Sequence, residues 1–293
     1  MSSTEKARAT MSVEDAFAHC ERITRGHYEN FPVGSALVPR PLRRHFYSIY
    51  AYSRTADDIA DEGNLPADER IALLDAWERR LEGAYRGEAD HPIFIALAAT
   101  IRERAIPIEP LRDLLRAFRL DARNQGYPTM EALLAYCGCS ANPVGRLVLH
   151  LFGLYSDERA MLSDNICTGL QLVNFWQDIS VDVPRDRINL PAESLERFGY
   201  TLEELRAGVF NESFRRMIAH HVEDARGRLM LGYPLLRSIP VRRLRGELGL
   251  VYLGGSRILD KITMLGYDVI TRRPSLSLGD KLWMLVRLAA LQI

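Results

Sequence analysis

Gln171-Leu-Val-Asn174-Phe-Trp-Gln-Asp178-Ile-Ser-Val-Asp182 carries the strongest fold signal in the chain. On a helix, which turns about 100° per residue, its polar members share one side: Gln171, Asn174, Asp178 and Asp182. Apolar side chains occupy most of the remaining circumference: Leu172, Val173, Phe175, Trp176, Ile179 and Val181. The segment predicts a largely buried helix with one polar stripe. Because like charges repel and buried unpaired carboxylates are costly, we expect positive charge against this stripe.

A second segment far upstream repeats the pattern: Tyr50-Ala-Tyr-Ser-Arg54-Thr-Ala-Asp57-Asp58-Ile-Ala-Asp61-Glu62. Its stripe consists of Tyr50, Arg54, Asp57 and Asp61. A single pair of aspartates four residues apart is a weak signal, since solvated acidic helix faces are common. Two such pairs on otherwise apolar helices predict two helices that face each other across a cleft. Magnesium suits this arrangement, because it prefers carboxylate oxygens and shares them with substrate phosphates.

The composition argues against several classes of protein. The chain has 293 residues, 47% of them hydrophobic, which is enough for a large core. A net charge of +0 and a pI near 7.1 give no electrostatic case for nucleic acid binding. The four cysteines are irregularly spaced, which favours reduced thiols over a disulfide framework or a zinc site. We expect a soluble, cytoplasmic protein, since the sequence shows neither a signal peptide nor a membrane-spanning apolar run.

Proline, glycine and capping residues divide the chain into helices. The predicted helices span about 13–27, 41–63, 66–84, 92–104, 110–123, 129–137, 146–152, 157–181, 191–198, 201–208, 210–231, 241–265 and 278–291. Residues 1–12 are expected to be frayed, and the small-residue patch 138–145 to separate two helices. No segment indicates a sheet. The prediction is one all-α domain over residues 1–293, a large helical bundle around a central cavity.

Both acidic segments match motifs of a known family. Residues 50–61 follow Tyr-Ala-x-x-Arg-x-x-Asp-Asp-x-x-Asp, and residues 171–182 follow Gln-Leu-x-Asn-x-x-x-Asp-x-x-x-Asp. The chain resembles the squalene and phytoene synthase family on these motifs, from residue 30 to about residue 273. The resemblance implies an isoprenoid-synthase helical fold that holds magnesium between the two acidic helices and acts on prenyl diphosphates.

Within that family the chain is most similar to the bacterial hydroxysqualene synthases, on the segments 27–33, 140–145, 174–178, 266–269 and 272–274. This similarity implies conversion of presqualene diphosphate and water to hydroxysqualene, with loss of diphosphate and without a nicotinamide cofactor. Condensing relatives usually carry Arg where this chain has Gln177, and often Tyr where it has Asn189. Two alternatives stay open: a condensing synthase that makes presqualene diphosphate or phytoene, and a non-enzymatic relative that acts as an assembly factor.

The resemblance also implies site residues. The implied magnesium ligands are Asp57, Asp61, Asn174, Asp178 and Asp182. The four aspartates, together with Tyr50 and Tyr136, are the catalytic candidates. The substrate-binding candidates are Phe31, Arg54, Gln171, Asn174, Gln177 and Arg187, with Arg272 or Arg273 as further contacts to diphosphate oxygens.

Several candidates have a purely structural interpretation as well. Tyr50 and Tyr136 are equally typical of core tyrosines, and Arg54 of an ion pair within its own helix. Asp58 and Glu62 lie off the stripe and are expected to be solvated or indirect contacts.

Other features favour packing or solvation over chemistry. We interpret His220-His221 as a solvated helix face and Gly254-Gly255 as a site of close helix packing. The last predicted helix, 278–291, should pack on the bundle, and a membrane-surface contact is its alternative interpretation. Another enzyme of the same pathway is a further candidate partner.

Overall fold

A computed structural model gives the fold and describes residues 11–26 and 38–290. The described residues form helices, turns and loops and contain no β-strand, which confirms the all-α prediction. Phe31, the 27–33 segment and residues 1–10 of the expected frayed terminus lie outside the described ranges. Contacts divide the chain into two compact units, Met1–Ile108 and Glu109–Ile293.

The first unit is built around a buried aromatic cluster. Its described helices are α1 (Val13–Gly26), α2 (Arg40–Asp61), α3 (Ala67–Arg86) and α4 (Pro92–Arg104). The ring of Phe94 lies 5.9 Å from that of Tyr52 and 4.6 Å from that of Trp77. These rings join α2, α3 and α4, and they bury the apolar side of α2. The first acidic stripe is thereby left on the opposite side of that helix.

The second unit is built on one long central helix, α8 (Asp157–Gln177), which packs against helices on several sides. Before it come α5 (Glu109–Arg123), α6 (Met130–Ser140) and α7 (Asn142–Leu151). After it come the short α9 (Ile179–Asp182), a 3-10 turn (Val183–Arg185), α10 (Ala192–Phe198), α11 (Leu202–Arg206), α12 (Glu212–Gly232), α13 (Pro234–Ser238), α14 (Arg242–Met264) and α15 (Leu278–Ala290). The largest contact of α8 is with α12.

Small residues let neighbouring helices approach α8 closely. A Cβ atom on Gly145 of α7 would lie 2.7 Å from the Sγ atom of Cys167, and one on Gly255 of α14 would lie 2.5 Å from Cδ2 of Leu170. Both distances are shorter than van der Waals contact, so a larger residue at either position would force the side chain of Cys167 or Leu170 to move. The close-packing interpretation of Gly254-Gly255 is confirmed at Gly255.

The predicted helices occur in the structure, with differences at three places. The patch 138–145 is largely helical, because α6 continues to Ser140 and α7 begins at Asn142, where a proline in the first turn is compatible with a helix start. The predicted helix 157–181 is interrupted at Asp178, whose φ of −99° and ψ of 7° leave the helical range. The short α13 has no predicted counterpart, since five residues show no periodicity.

His221 contradicts the solvated-face interpretation. His220 is exposed, but His221 is only 1% exposed and its ring stacks on Trp176 at 4.7 Å. Helix periodicity explains the difference, because His221 shares its side of α12 with the buried residues Phe214, Ile218 and Val222.

The prediction for the last helix is confirmed only in part. Met284 and Asp280 are buried, and α15 packs on α14. Large apolar residues on its other side are exposed. Within the described ranges, no helix is both long enough and apolar enough to cross a membrane.

Candidate functional site

The first acidic motif lies along the accessible side of α2. Tyr50, Arg54 and Asp57 are partly exposed, and Asp61 is exposed. Nη1 of Arg54 lies 3.0 Å from Oδ2 of Asp57, while Nη2 lies 2.6 Å from Oδ1 of Asp58 and 2.8 Å from Oε1 of Glu62. One guanidinium therefore offsets the repulsion among three carboxylates. The intrahelical ion pair of Arg54 is confirmed, and its contact with substrate stays a prediction.

Tyr50 lies one turn before Arg54 on the same stripe. Its ring stacks on Phe46 with the centroids 6.3 Å apart. Burial raises the pKa of the Tyr50 hydroxyl, an effect that the charge of Arg54 partly opposes. The hydroxyl is therefore protonated at neutral pH and can donate a hydrogen bond.

Arg70 fixes the chain just beyond this motif, and the sequence interpretation missed it. Its side chain donates to three backbone carbonyls: Nε to Leu65 at 2.9 Å, Nη1 to Ile59 at 2.9 Å and Nη2 to Gly63 at 2.6 Å. Arg70 is 8% exposed, and it closes the carboxyl end of α2, where a positive charge is favourable. The only sequence signal was a basic residue in the first turn of α3, too common a feature to single out.

The second acidic motif spans the end of α8 and the short α9. Asn174 is exposed, while Gln171, Asp178 and Asp182 are partly exposed. Nε of Arg273 lies 2.7 Å from Oδ1 of Asp178, which supplies the positive charge expected against this stripe. Arg272 and Arg273 were the alternatives for a further diphosphate contact, and Arg273 is the one that pairs with the motif.

Asp182 is oriented by an amide. Nδ2 of Asn189 donates to Oδ2 of Asp182 at 3.0 Å, and the backbone N–H of Arg187 donates to the carbonyl oxygen of Asp182 at 3.1 Å. Burial, followed by the charge of Asp178, raises the pKa of the Asp182 carboxyl. The hydrogen bond from Asn189 and the charge of Arg187 oppose this shift, and a bound cation would favour the ionised carboxylate in the same way.

Gln177 ties the motif to a distant segment. Its Nε2 atom donates to the carbonyl oxygen of Pro274 at 2.7 Å. With the Arg273–Asp178 pair, this bond holds the segment 273–274 against the end of α8. Nothing in the local sequence pattern identified this partner, because 97 residues separate it from Gln177.

Tyr136 is buried among other rings. Its ring centroid lies 5.4 Å from that of Tyr127 and 6.1 Å from that of Phe175, which belongs to the second motif. Burial, then the charge of Asp121, raises the pKa of the Tyr136 hydroxyl, which hydrogen-bonds Asp121. Tyr136 is thus a core tyrosine whose hydroxyl has a hydrogen-bond partner, and a catalytic role for it stays a prediction.

The donor set of both motifs suits magnesium. Each motif offers two partly or fully accessible aspartates, and magnesium in enzymes commonly takes one or two carboxylates and completes its shell with water and substrate phosphate. Over residues 11–26 and 38–290, no three His, Cys, Asp or Glu side chains are grouped to hold a metal by themselves. The magnesium ligands therefore stay a prediction.

Comparison with known proteins identifies the family of the chain. The squalene/phytoene synthase family model matches residues 24–280. The chain is 33% identical over 239 residues to a hydroxysqualene synthase of Sinorhizobium fredii, and this match covers 80% of each sequence. It is 30% identical over 279 residues to a 15-cis-phytoene synthase of Synechococcus elongatus, 91% of this chain and 90% of the other.

A solved structure confirms the fold. The crystal structure of squalene synthase HpnC from Alicyclobacillus acidocaldarius matches with a TM-score of 0.82 and 46% sequence identity. The match covers 88% of this chain and 97% of the other, and it confirms the predicted isoprenoid-synthase fold. The two motifs and these similarities lead to one assignment: the chain belongs to the squalene/phytoene synthase family.

Proposed function

We propose that the protein is a magnesium-dependent hydroxysqualene synthase, which converts presqualene diphosphate and water to hydroxysqualene and diphosphate. Its family acts on prenyl diphosphates and generally uses a divalent metal. The observation that carries the finer assignment is Gln177. A neutral amide, bonded to the Pro274 carbonyl, stands directly before Asp178, where condensing relatives usually carry Arg.

The reaction breaks the carbon–oxygen bond to the diphosphate and forms one to water, which loses a proton. Magnesium, when bound, supplies Lewis-acid stabilisation of the leaving diphosphate. Asp57, Asp61, Asp178 and Asp182 would hold it, with the carbonyl oxygen of Asn174 as a further ligand. Guanidinium groups bind phosphate oxygens through paired hydrogen bonds, which is the role we propose for Arg54, Arg187 and Arg273.

Two neutral amides favour water as the group that ends the reaction. Gln177 and Asn189 are smaller or less charged than the Arg and Tyr of condensing relatives. Asn189 donates to Asp182, and Gln177 donates to a backbone carbonyl. This combination leaves room and polar partners for an ordered water beside the leaving group, while apolar walls would shield the cation elsewhere.

A head-to-head condensing synthase is the second candidate. It is favoured by the phytoene synthase relative, which covers 91% of this chain at 30% identity, compared with 80% for the hydroxysqualene synthase relative. Both reactions use the same acidic motifs. Substrate preference and the origin of the product oxygen distinguish them.

The decisive experiment supplies purified protein with magnesium and presqualene diphosphate in isotopically labelled water. We expect an alcohol that carries solvent oxygen, with or without reduced nicotinamide, and no product when a chelator removes magnesium. Parallel reactions with farnesyl diphosphate or geranylgeranyl diphosphate test condensation. A product without solvent oxygen, squalene formed only with reduced nicotinamide, or efficient condensation would each overturn the assignment.

A further inference from the structure

The segment between α14 and α15 carries Arg273 and has no regular secondary structure. Residues 272–277, which we call the Arg273 segment, are neither helix nor strand. In its middle, Nε of Arg273 donates to Oδ1 of Asp178 at 2.7 Å. The next residue, Pro274, accepts a hydrogen bond from Gln177 on its carbonyl oxygen. A segment without a ladder of backbone hydrogen bonds moves as far as its side-chain contacts allow. The contacts at its ends therefore decide how firmly Arg273 is held.

Arg273 has hydrogen-bond donors to spare for a ligand. A guanidinium carries five N–H groups, and the bond to Asp178 uses only the one on Nε. The two Nη groups have no hydrogen-bond partner among the described residues, and the side chain is 49% exposed. Arg273 can thus hold Asp178 and bind phosphate oxygens at the same time. This double contact requires the guanidinium to stay beside Asp178.

The far end of the Arg273 segment is tied to α14 by Asp280. The carboxylate of Asp280 belongs to a residue that is only 4% exposed. Its Oδ1 atom lies 2.7 Å from Nε of Arg257, and its Oδ2 atom lies 2.7 Å from Nζ of Lys261, both on α14. The same Oδ2 atom accepts from the backbone N–H of Ser277 at 2.8 Å and from the Ser277 hydroxyl at 2.6 Å. One buried carboxylate thus joins the last residue of the segment to a long helix.

Capping of α15 explains only part of these contacts. Ser277 and Asp280 form a reciprocal cap, since the backbone N–H of Asp280 also donates to Oγ of Ser277 at 3.2 Å. Such a cap needs no cation. Arg257 and Lys261 add two charged contacts, which are stronger than neutral hydrogen bonds and fix the cap on α14. Lys261 first, then Ser277 and Arg257, hold the pKa of Asp280 well below its usual range. The carboxylate is therefore ionised at neutral pH, and the cap stays attached to α14.

We propose that Asp280 is a positioning residue for the candidate diphosphate site: it anchors the Arg273 segment and so keeps the Arg273 guanidinium beside Asp178. Only residues 275 and 276 separate Pro274, which is bound to the end of α8, from Ser277. So short a tether leaves Arg273 little freedom, and a group that is already ordered loses less conformational entropy when it binds a ligand. This role rests on the proposed function only in that the site binds diphosphate, which a condensing synthase must do as well.

The test measures binding of inorganic diphosphate to the full chain by isothermal titration calorimetry, at saturating magnesium and without substrate. Asp280→Asn keeps the size of the side chain and removes its charge, and it should weaken binding about threefold because the segment loses order. Arg273→Gln should weaken binding about tenfold, the usual effect of losing a hydrogen bond to a charged group. The double variant should bind like Arg273→Gln alone, because Asp280 acts through Arg273.

The matched control is Asp164→Asn. It removes another partly buried carboxylate from an arginine, since Asp164 pairs with Arg146 at 2.5 Å, outside both acidic motifs. This variant should bind diphosphate like the original chain.

A second variant loosens the segment and leaves Asp280 in place. One glycine inserted between Ser275 and Leu276 lengthens the tether with a flexible residue, while the contacts of Asp280 with α14 remain. The insertion should weaken diphosphate binding as Asp280→Asn does. Circular dichroism of each variant confirms that the helices are intact.

A purely structural Asp280 would affect the thermal midpoint and leave the affinity for diphosphate unchanged. That result in Asp280→Asn and in the glycine insertion would overturn the proposal. So would equal weakening by Asp280→Asn in the original and the Arg273→Gln backgrounds, or an original chain that binds no diphosphate at saturating magnesium. If the reaction in labelled water excludes water capture while the binding pattern holds, the hydroxysqualene assignment fails and the role of Asp280 stands.

Discussion

At the scale of a residue, the buried imidazole of His221 makes the stability of the protein sensitive to acid. The His221 imidazole is buried on Trp176, and neither ring nitrogen has a hydrogen-bond partner among the described residues. Burial lowers the pKa of His221 from 6.5 to about 4. The unfolded chain takes up this proton at higher pH than the folded chain. Burial of neutral His221 therefore costs no free energy of unfolding by protonation above about pH 6.5. The free energy of unfolding falls as the pH drops from 6.5 toward 4.

Replacing His221 with Phe should remove this acid sensitivity. Phe keeps the ring stack on Trp176 and has no group to protonate or to leave unpaired. The loss of unfolding free energy between about pH 7.5 and pH 5 should shrink by about 2 kcal/mol, as urea denaturation at the two pH values measures. His220→Gln, at the exposed neighbouring position, is the comparison: the charge of His220 contributes less than burial to the lowered pKa of His221, so this variant should keep most of the acid sensitivity. Equal acid sensitivity in His221→Phe and the original chain would contradict the assignment.

Candidate residues were predictable from sequence, but most of their partners were not. The spacing of Asp178 and Asp182 marked a polar stripe, and the stripe required a positive charge. The identity of that charge, Arg273, depends on a contact across 95 residues, for which helix periodicity carries no information. Arg54 differs, because its partners Asp57 and Asp58 lie within one turn of the same helix.

At the scale of helices, α12 contains two glycines with opposite roles. A Cβ atom on Gly232 would lie 2.7 Å from the carbonyl oxygen of Leu162 and 2.9 Å from the backbone nitrogen of Ile166. A Cβ atom on Gly227 would meet nothing within 4 Å. Gly232 therefore permits the close contact with α8, while Gly227 only weakens the helix through its conformational freedom.

Alanine substitutions should separate these roles. Gly232→Ala should lower the free energy of unfolding by about 1–3 kcal/mol, since backbone atoms of α8 would have to move. Gly227→Ala should raise it by about 0.5–1 kcal/mol, the usual difference between glycine and alanine inside a helix. Chemical denaturation of both variants measures the two changes. The packing argument fails if they shift stability in the same direction.

The end of α2 depends on the side chain of Arg70. Replacing Arg70 with Met would leave the carbonyls of Ile59, Gly63 and Leu65 without this donor, at a cost of about 2–4 kcal/mol of unfolding free energy. Because Asp61 lies in the same turn, the magnesium concentration for half-maximal turnover should also rise. Arg79→Met, an exposed position on α3, is the control for losing an arginine. A stability loss with an unchanged magnesium requirement would leave Arg70 a purely structural residue.

Helix positions were more predictable than helix interruptions. The predicted helix start near residue 129 has a local cause, since the Oγ1 atom of Thr129 accepts from the backbone N–H of Ala132 at 3.2 Å. The predicted end near residue 63 does too, since Gly63 follows α2 with a φ of +75°. The interruption at Asp178 was not predicted, because the apolar periodicity of the sequence continues through it. In the structure the helix resumes at once, since the N–H groups of Val181 and Asp182 donate to the Asp178 carbonyl.

For the whole molecule, the family follows from sequence, whereas the reaction needs an experiment. The two motifs predicted an isoprenoid-synthase fold, which the match to a solved structure confirms. Relatives named for two different reactions lie at 33% and 30% identity, too close to separate by similarity. The difference between water capture and condensation depends on a few groups such as Gln177, and a few groups barely change overall identity.

Magnesium and inorganic diphosphate together should stabilise the whole chain if the acidic motifs bind them. A ligand present at about one hundred times its dissociation constant adds about 2.7 kcal/mol, which for a chain of this length raises the thermal midpoint by about 5 °C. We expect this rise only when both are present, because the carboxylates repel diphosphate until the metal neutralises it. Differential scanning fluorimetry measures it without any turnover.

Substitutions in either motif should abolish that rise. Asp57→Asn and Asp178→Asn each remove one carboxylate charge from the proposed metal ligands, so neither variant should gain stability from magnesium plus diphosphate. Asp260→Asn is the control, because Asp260 lies on α14, outside both motifs, where its carboxylate pairs with Arg226 at 3.1 Å. The thermal midpoint of this variant should rise as it does in the original chain. A full rise in Asp57→Asn would exclude the first motif from metal binding, and a full rise in Asp178→Asn would exclude the second. A rise with diphosphate alone would assign the binding to arginines such as Arg54 and Arg273 without the metal.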